Sequence, residues 1–433
     1  MLPPVTRREL VRLAAPAAAS AILNNAFRVI DQLAAGWIGT PAQAAIGSCT
    51  FVLISFYGVY CLVAGGAGPL VARATGAGDE DLRARAVGTS LAAAAGLGGI
   101  VGVVGFAGAD VLARVLGLEG EVARDAATFL RWLSVFAVPA ALHPTLDAVF
   151  VAVGRTRLMM ALQVGAAVLN AVLNPLLIQH AGLGVAGAAI ATGASRTLMA
   201  GIGLWAAWRA FGPRIARDDT LRRVARVGWP VTVATVAYAL VYFLLLRVTI
   251  SPLGPAVNAA LGIGFSALEG LSYPCFLGIG LAVSSLVGRS LGAGRPDEAR
   301  RAAELGLPMV TALGLAAGAV FWFGARPLCA LFTDDPAVLD AAVVYARVLA
   351  ISQVCVAWEA LAEGVLAGAG DTRTIFWLSA PFNFARIPLA WLLAFPLGMG
   401  AAGVWWAINV TSACKALTKG YAVRRGAWTR MRI

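Results

Sequence analysis

Twelve apolar stretches, each about 20 residues long, follow one another along the chain, and no other feature constrains its fold as much. A run of that length crosses the hydrocarbon core of a bilayer as a helix, because lipid offers no partner to an open backbone N–H or C=O. The pattern predicts helices near residues 10–38, 44–72, 86–112, 122–152, 157–179, 184–208, 225–250, 257–288, 302–327, 337–367, 374–396 and 400–423. Composition agrees: of 433 residues, 60% are hydrophobic and 13% charged, and the mean hydropathy is +0.80. A soluble chain carries nearly twice that charged fraction. The 49 glycines and the Ala-rich tracts suit helices that pack closely in lipid. The fold class expected is an all-α integral membrane protein with twelve transmembrane helices.

Charge placement sets an expected orientation. On this map 24 basic residues share one side, among them Arg7, Arg73, Arg155, Arg214, Arg289, Arg373, Lys419 and Arg425, whereas Arg114, Arg124 and Arg326 fall opposite. The positive-inside rule then puts both termini in the cytoplasm, in the inner membrane of a bacterium. The net charge of +12 follows from this asymmetry and from anionic lipid at the inner surface, not from nucleic-acid binding. Six scattered cysteines without CxxC spacing read as buried thiols. The N-terminal apolar run is longer than a signal core and reads as the first helix.

The chain also repeats itself. Leu70-Val71-Ala72-Arg73 through Gly76-Ala77-Gly78 recurs as Leu286-Val287-Gly288-Arg289 through Gly292-Ala293-Gly294, an offset of 216 residues. The same offset carries Gly154-Arg155-Thr156-Arg157 onto Gly370-Asp371-Thr372-Arg373. Six helices per unit is an even number, so both units enter the membrane from one side and form two parallel six-helix repeats. The expected organisation is a lobe over 1–208, an Arg-rich cytoplasmic connector over 209–224, and a second lobe over 225–433.

Several motifs resemble one family. Asp31 followed by Gly36 and Gly39 looks like the first-helix signature of the multidrug and toxic compound extrusion (MATE) transporters. The loop Leu286–Pro296, the segment Leu366-Ala367-Gly368-Ala369-Gly370-Asp371-Thr372 and Leu173-Asn174-Pro175 resemble further motifs of that family. The resemblance covers essentially the whole chain. It implies a V-shaped bundle and antiport of bulky, often cationic, organic compounds against a proton or sodium gradient. Lipid-linked oligosaccharide flippases share the shape and stand as the alternative. The proton-coupled branch carries Asn and then Asp four residues on in the fifth helix; the matching positions here are Asn170 and Asn174. The sodium-linked branch places acids where this chain has Ala239 and Val356.

Polar groups inside the membrane are functional candidates by default. Asn24, Arg28 and Asp31 share a face of the first helix, and Asp31 lies about 12 Å below the turn at Gly39. A buried carboxyl suits proton exchange, because burial penalises its charged form; Arg28 one turn away either serves that exchange or forms a static pair. Asn170 and Asn174 offer amides to a carboxylate or a cation, or glue helices together. Asp31, Asn170, Asn174 and Arg28 are therefore the ion-coupling candidates. Asp147 and Glu363 correspond under the repeat, as do His143 and Glu359; an Arg-locked gate and ion handling are equally open for them. Glu269 resembles an eighth-helix glutamate of bacterial family members. With Asn24 these acids form the substrate or gating set. Gly76, Gly78, Gly292 and Gly294 are candidate hinge positions, where a helix must stop and turn.

No HExxH, GxSxG or GxxxxGK[ST] pattern is present, which argues against an enzyme or an ATP-driven pump. The reading is a monomeric secondary-active exporter of small organic substrates, working by alternating access among membrane lipid. Its only expected small-ion partner is the transported H+ (or Na+), with no cofactor and no resident metal.

Overall fold

In the computed structural model, residues 4–216 and 218–431 are described, apart from the side chains of Arg28, Val29, Gln32, Thr40, Phe51, Ser266 and Ala267. The helices are α1 (Arg7–Gly36), α2 (Thr40–Ala77), α3 (Glu80–Val115), α4 (Gly120–Val135), α5 (Ala137–Ala152), α6 (Thr156–Pro175), α7 (Gly184–Phe211) and α8 (Thr220–Leu245). They continue as α9 (Pro255–Ile263), α10 (Glu269–Gly292), α11 (Pro296–Phe323), α12 (Ala325–Cys329), α13 (Pro336–Ala350), α14 (Gln353–Ala369), α15 (Thr372–Ala394) and α16 (Gly400–Arg425). A π-helical turn over Gly264–Leu268 joins α9 to α10. Among the described residues, twelve helical rods thus stand near the predicted apolar runs, several of them broken or bent.

Eight of the described helices are unbroken, apolar and long enough to cross a membrane, and two bent pairs qualify as one span each. The bends are 62° between α4 and α5 and 56° between α13 and α14. They fall at Phe136 and Ser352, which are one repeat offset apart. Arg386 inside α15, and Lys415 and Lys419 inside α16, lower the apolarity of the remaining two rods.

Helix ends follow local chemistry. Asp79 caps α3 by accepting from the Leu82 N–H at 2.8 Å, and Asp371 caps α15 through the Thr374 N–H at 3.3 Å. Gly78 and Gly294 turn the chain with φ of 71° and 69°, a left-handed backbone that favours glycine. Gly76 and Gly292, in contrast, sit in the last helical turns of α2 and α10. The left-handed turn therefore belongs to one glycine per loop, not to both.

The chain forms two compact units: residues 1–22 with 236–432, and residues 23–235. Their borders lie inside α1 and α8 rather than in the 209–224 connector. Each repeat has exchanged the opening turns of its first helix. Leu10, Leu13 and Ala14 of α1 are buried in one core with Phe276, Ile279 and Val283 of α10. A Cβ on Gly278 would lie 2.5 Å from the Ala18 Cβ, so α1 and α10 meet at backbone distance. In the other unit, a Cβ on Gly66 would lie 1.9 Å from the Val224 carbonyl oxygen, which locks the start of α8 onto α2.

Candidate functional site

The site is built in the 23–235 unit from three helices. Asp31 projects from α1, Asn170 and Asn174 from successive turns of α6, and Thr192 from α7. All four are buried; Asp31 is 9% exposed and Asn170 0%. Asn170 Nδ2 donates to Asp31 Oδ1 at 3.1 Å, and Asn174 Nδ2 donates to the same oxygen at 3.4 Å. The Thr192 hydroxyl donates to Asp31 Oδ2 at 2.9 Å. Asn174 Nδ2 also donates to Asn170 Oδ1 at 3.2 Å, and Asn170 Nδ2 to Thr192 Oγ1 at 3.3 Å. The Asn174 side-chain oxygen, Oδ1, is buried and has no hydrogen-bond partner among the described residues.

Local sequence explains how these groups meet. The i, i+4 spacing puts both asparagines on one face of α6, and the helix yields to a π-helical turn over Leu176–His180 directly after Pro175. Thr192 lies in a tract of Gly, Ala, Val and Ile, Gly184–Ala194, whose small residues let α7 come close. Phe27, Ala166 and Ala167 form a buried apolar cluster, with Met199 packed against it. Arg196, one turn beyond Thr192, stacks its guanidinium 4.9 Å from the centre of the Phe27 ring and lies within electrostatic reach of Asp31.

The sequence reading placed Asp31, Asn170 and Asn174, and the fold brings all three together. Thr192 was missed; as the single polar side chain in its tract, it was the available signal. The Arg28 side chain lies outside the described residues. Asn24 is exposed. Asp147 meets His143 at 3.3 Å and Gln163 at 3.4 Å.

The other acids lie in the unit containing 236–432. Glu269 accepts from the Tyr345 hydroxyl at 2.8 Å. Glu359 and Glu363 are not locked by arginine: both of the chain's lysines meet them. Lys415 lies 3.0 Å from Glu359, and Lys419 bridges Glu359, at 2.7 Å, to Glu363. Lys419, expected on the inner surface, is 0% exposed. Its i, i+4 spacing from Lys415 matches that of Glu359 and Glu363, so two turns of α14 and two of α16 present complementary charge to each other. Arg386 is 2% exposed and donates to neutral oxygens: Thr411 Oγ1 at 2.9 Å, Tyr242 Oη at 3.0 Å and Ser412 Oγ at 3.5 Å.

The profile of the family described as MatE matches residues 16–176 and 230–392, one match in each repeat. A probable multidrug resistance protein NorM of Pseudomonas syringae pv. tomato is 30% identical, over 95% of this chain and 93% of its own length. A multidrug resistance protein MdtK of Pectobacterium atrosepticum is 26% identical, over 94% and 93%. Among solved structures, a MOP superfamily transporter from Pyrococcus furiosus superposes with a TM-score of 0.91 at 21% identity, covering 98% of this chain and 97% of its own. The eukaryotic MATE transporter AtDTX14 gives 0.86 at 24% identity, covering 98% and 96%. The structural likenesses establish a shared fold.

Proposed function

We propose that this chain, which belongs to the MatE family of membrane transporters, exports organic compounds in exchange for protons that bind at Asp31. It is a multi-pass membrane protein and a multidrug efflux transporter, not an enzyme. The named multidrug resistance relatives favour drug export over the lipid-linked alternative. Its expected seat is a bacterial inner membrane with both termini cytoplasmic, a reading supported by the crowding of basic residues onto one side.

One observation carries the ionic part of this reading: a single buried carboxylate, held by three neutral donors. Apolar burial penalises the ionised form, and the amide and hydroxyl donors favour it. A change of conformation that alters either influence moves a proton on or off. Sodium, by contrast, needs several oxygens turned toward it, whereas the groups around Asp31 direct N–H and O–H toward the carboxylate. The free acceptor on Asn174 is available to the O–H of a protonated Asp31. In the exchange cycle, substrate leaves as the proton arrives, and the proton is released toward the cytoplasm before the next substrate binds.

The test is efflux of a panel of organic cations and of a lipid-linked sugar from proteoliposomes, under separately imposed proton and sodium gradients. A proton gradient alone should drive saturable transport of organic cations. A strict sodium requirement at constant pH would overturn the ion, and transport confined to the lipid-linked sugar would overturn the substrate class.

A further inference from the structure

At the arginine-bearing end of the 23–235 unit, α3, α7 and the connector line an open, mainly apolar cavity, a groove of about 500 Å³. Its walls include Leu91 and Ala92 from α3, Leu204, Trp205 and Trp208 from α7, and Ile215 from the connector. We propose that this cavity binds one anionic phospholipid, with an acyl chain along the apolar wall and the phosphate held by Arg209 and Arg155. The proposal rests on the orientation argued above, which makes this the cytoplasmic leaflet, where anionic lipid is enriched.

The cavity has the size of a small-molecule site, within the range of about 300–1,000 Å³. Its depth suits an acyl chain, because Leu204 lies seven residues, or roughly 10 Å, inside the α7 end at Phe211. Trp205 and Trp208 are 58% and 66% exposed, as aromatic residues at the level of lipid headgroups are. The polar rim is basic. Arg209 lies 5.3 Å from the Trp205 ring, and Arg155 and Arg83 each lie 5.6 Å from the Phe211 ring. Arg83 is paired with Glu80 at 3.2 Å. Among the described residues, however, no carboxylate is within ion-pair distance of exposed Arg155 or Arg209. Arg209 thus lies against the lining Trp205, Arg155 lies farther along against Phe211 at the same end of α7, and the chemistry these cations and the apolar wall match is a phosphate joined to an alkyl chain.

The wall formed by the connector is fixed. Arg214 donates its N–H to the Ala84 carbonyl at 3.0 Å, Ala216 donates to Thr89 Oγ1 at 2.9 Å, and Arg85 meets Asp218 at 2.7 Å. A Cβ on Gly88 would lie 2.4 Å from the Arg214 carbonyl oxygen, so glycine there lets the connector lie directly on α3. The connector therefore forms part of the site as well as linking the two repeats.

Native mass spectrometry of the full chain, titrated with phosphatidylglycerol or phosphatidylcholine in mild detergent, tests the proposal without reference to transport. The wild type should retain one phosphatidylglycerol in preference to phosphatidylcholine. The double variant R155Q/R209Q, changed only at exposed positions, should lose on the order of tenfold in that preference, as expected when two basic residues leave an anionic-lipid site. Ala92→Phe fills the cavity without touching the arginines and should displace the lipid. Equal retention of the two lipids by the wild type, or undiminished phosphatidylglycerol in either variant, would overturn the assignment. Because the readout is lipid retention, failure here leaves proton coupling at Asp31 standing, and failure of coupling leaves this site standing.

Discussion

The two repeats share a fold and differ in how they hold their buried charges: each has an acid bonded to neutral donors, Asp31 in one and Glu269 in the other, but only the second adds buried lysine pairs. In the 23–235 unit, Asp31 accepts from three neutral donors, with Arg196 within electrostatic reach but not hydrogen-bonded to it among the described contacts. In the other unit the position equivalent to Asn170, 216 residues on, is Arg386, a buried cation surrounded by neutral acceptors. That second unit also holds Glu359 and Glu363 against Lys415 and Lys419, whereas the equivalent positions in the first are His143, Asp147, Met199 and Gly203. A buried acid that meets a lysine has its charge balanced within the fold, and breaking such a pair is strongly destabilising. An acid whose hydrogen bonds come from neutral donors, with its nearest described cation, Arg196, stacked on Phe27 rather than bonded to it, can gain a proton without breaking an ion pair. On the proposed function, the first repeat carries the proton-exchanging acid, whereas the second balances Glu359 and Glu363 in fixed ion pairs.

The largest effect expected from this contrast is at Asp31. Asp31→Asn should abolish efflux driven by a pH gradient in proteoliposomes while substrate binding, measured by fluorescence or calorimetry, persists. Full proton-driven transport by this variant would erase the distinction between the repeats.

Next is the ion-pair cluster, where stability rather than coupling should suffer. Glu359→Gln leaves Lys415 without its carboxylate and should cost about 3–5 kcal/mol, the range for breaking a buried pair. The readout is a lower thermal midpoint in detergent, with Glu359→Gln/Lys415→Met regaining part of the loss. An unchanged midpoint would show that the cluster is not the static element described.

Smaller effects grade the donors around Asp31. Thr192→Ala removes the 2.9 Å hydroxyl contact and should slow efflux about tenfold, the lower end expected for a hydrogen bond to a charged group. Asn174→Ala removes only the longer 3.4 Å contact and should slow it by a few-fold. Initial rates at saturating substrate give the ranking, and a reversed order would mean that Asn174 acts through its free carbonyl oxygen rather than through its N–H.

The twelve rods, the two repeats and the helix faces carrying Asp31, Asn170, Asn174, Glu359 and Glu363 are all legible in the chain's local pattern. These features are local: 20 apolar residues match the membrane thickness, and a spacing of four places side chains on one face whatever surrounds the helix. The partners of those side chains come from the packing of distant segments. Thr192 reaches Asp31 across 161 residues, Lys419 reaches Glu359 across 60, and the openings of α1 and α8 pack into the opposite repeats' cores. Such contacts depend on how each helix rotates and how closely its neighbours approach. That is set by small residues such as Gly66 and Gly278 meeting other backbones, information that helical periodicity does not contain.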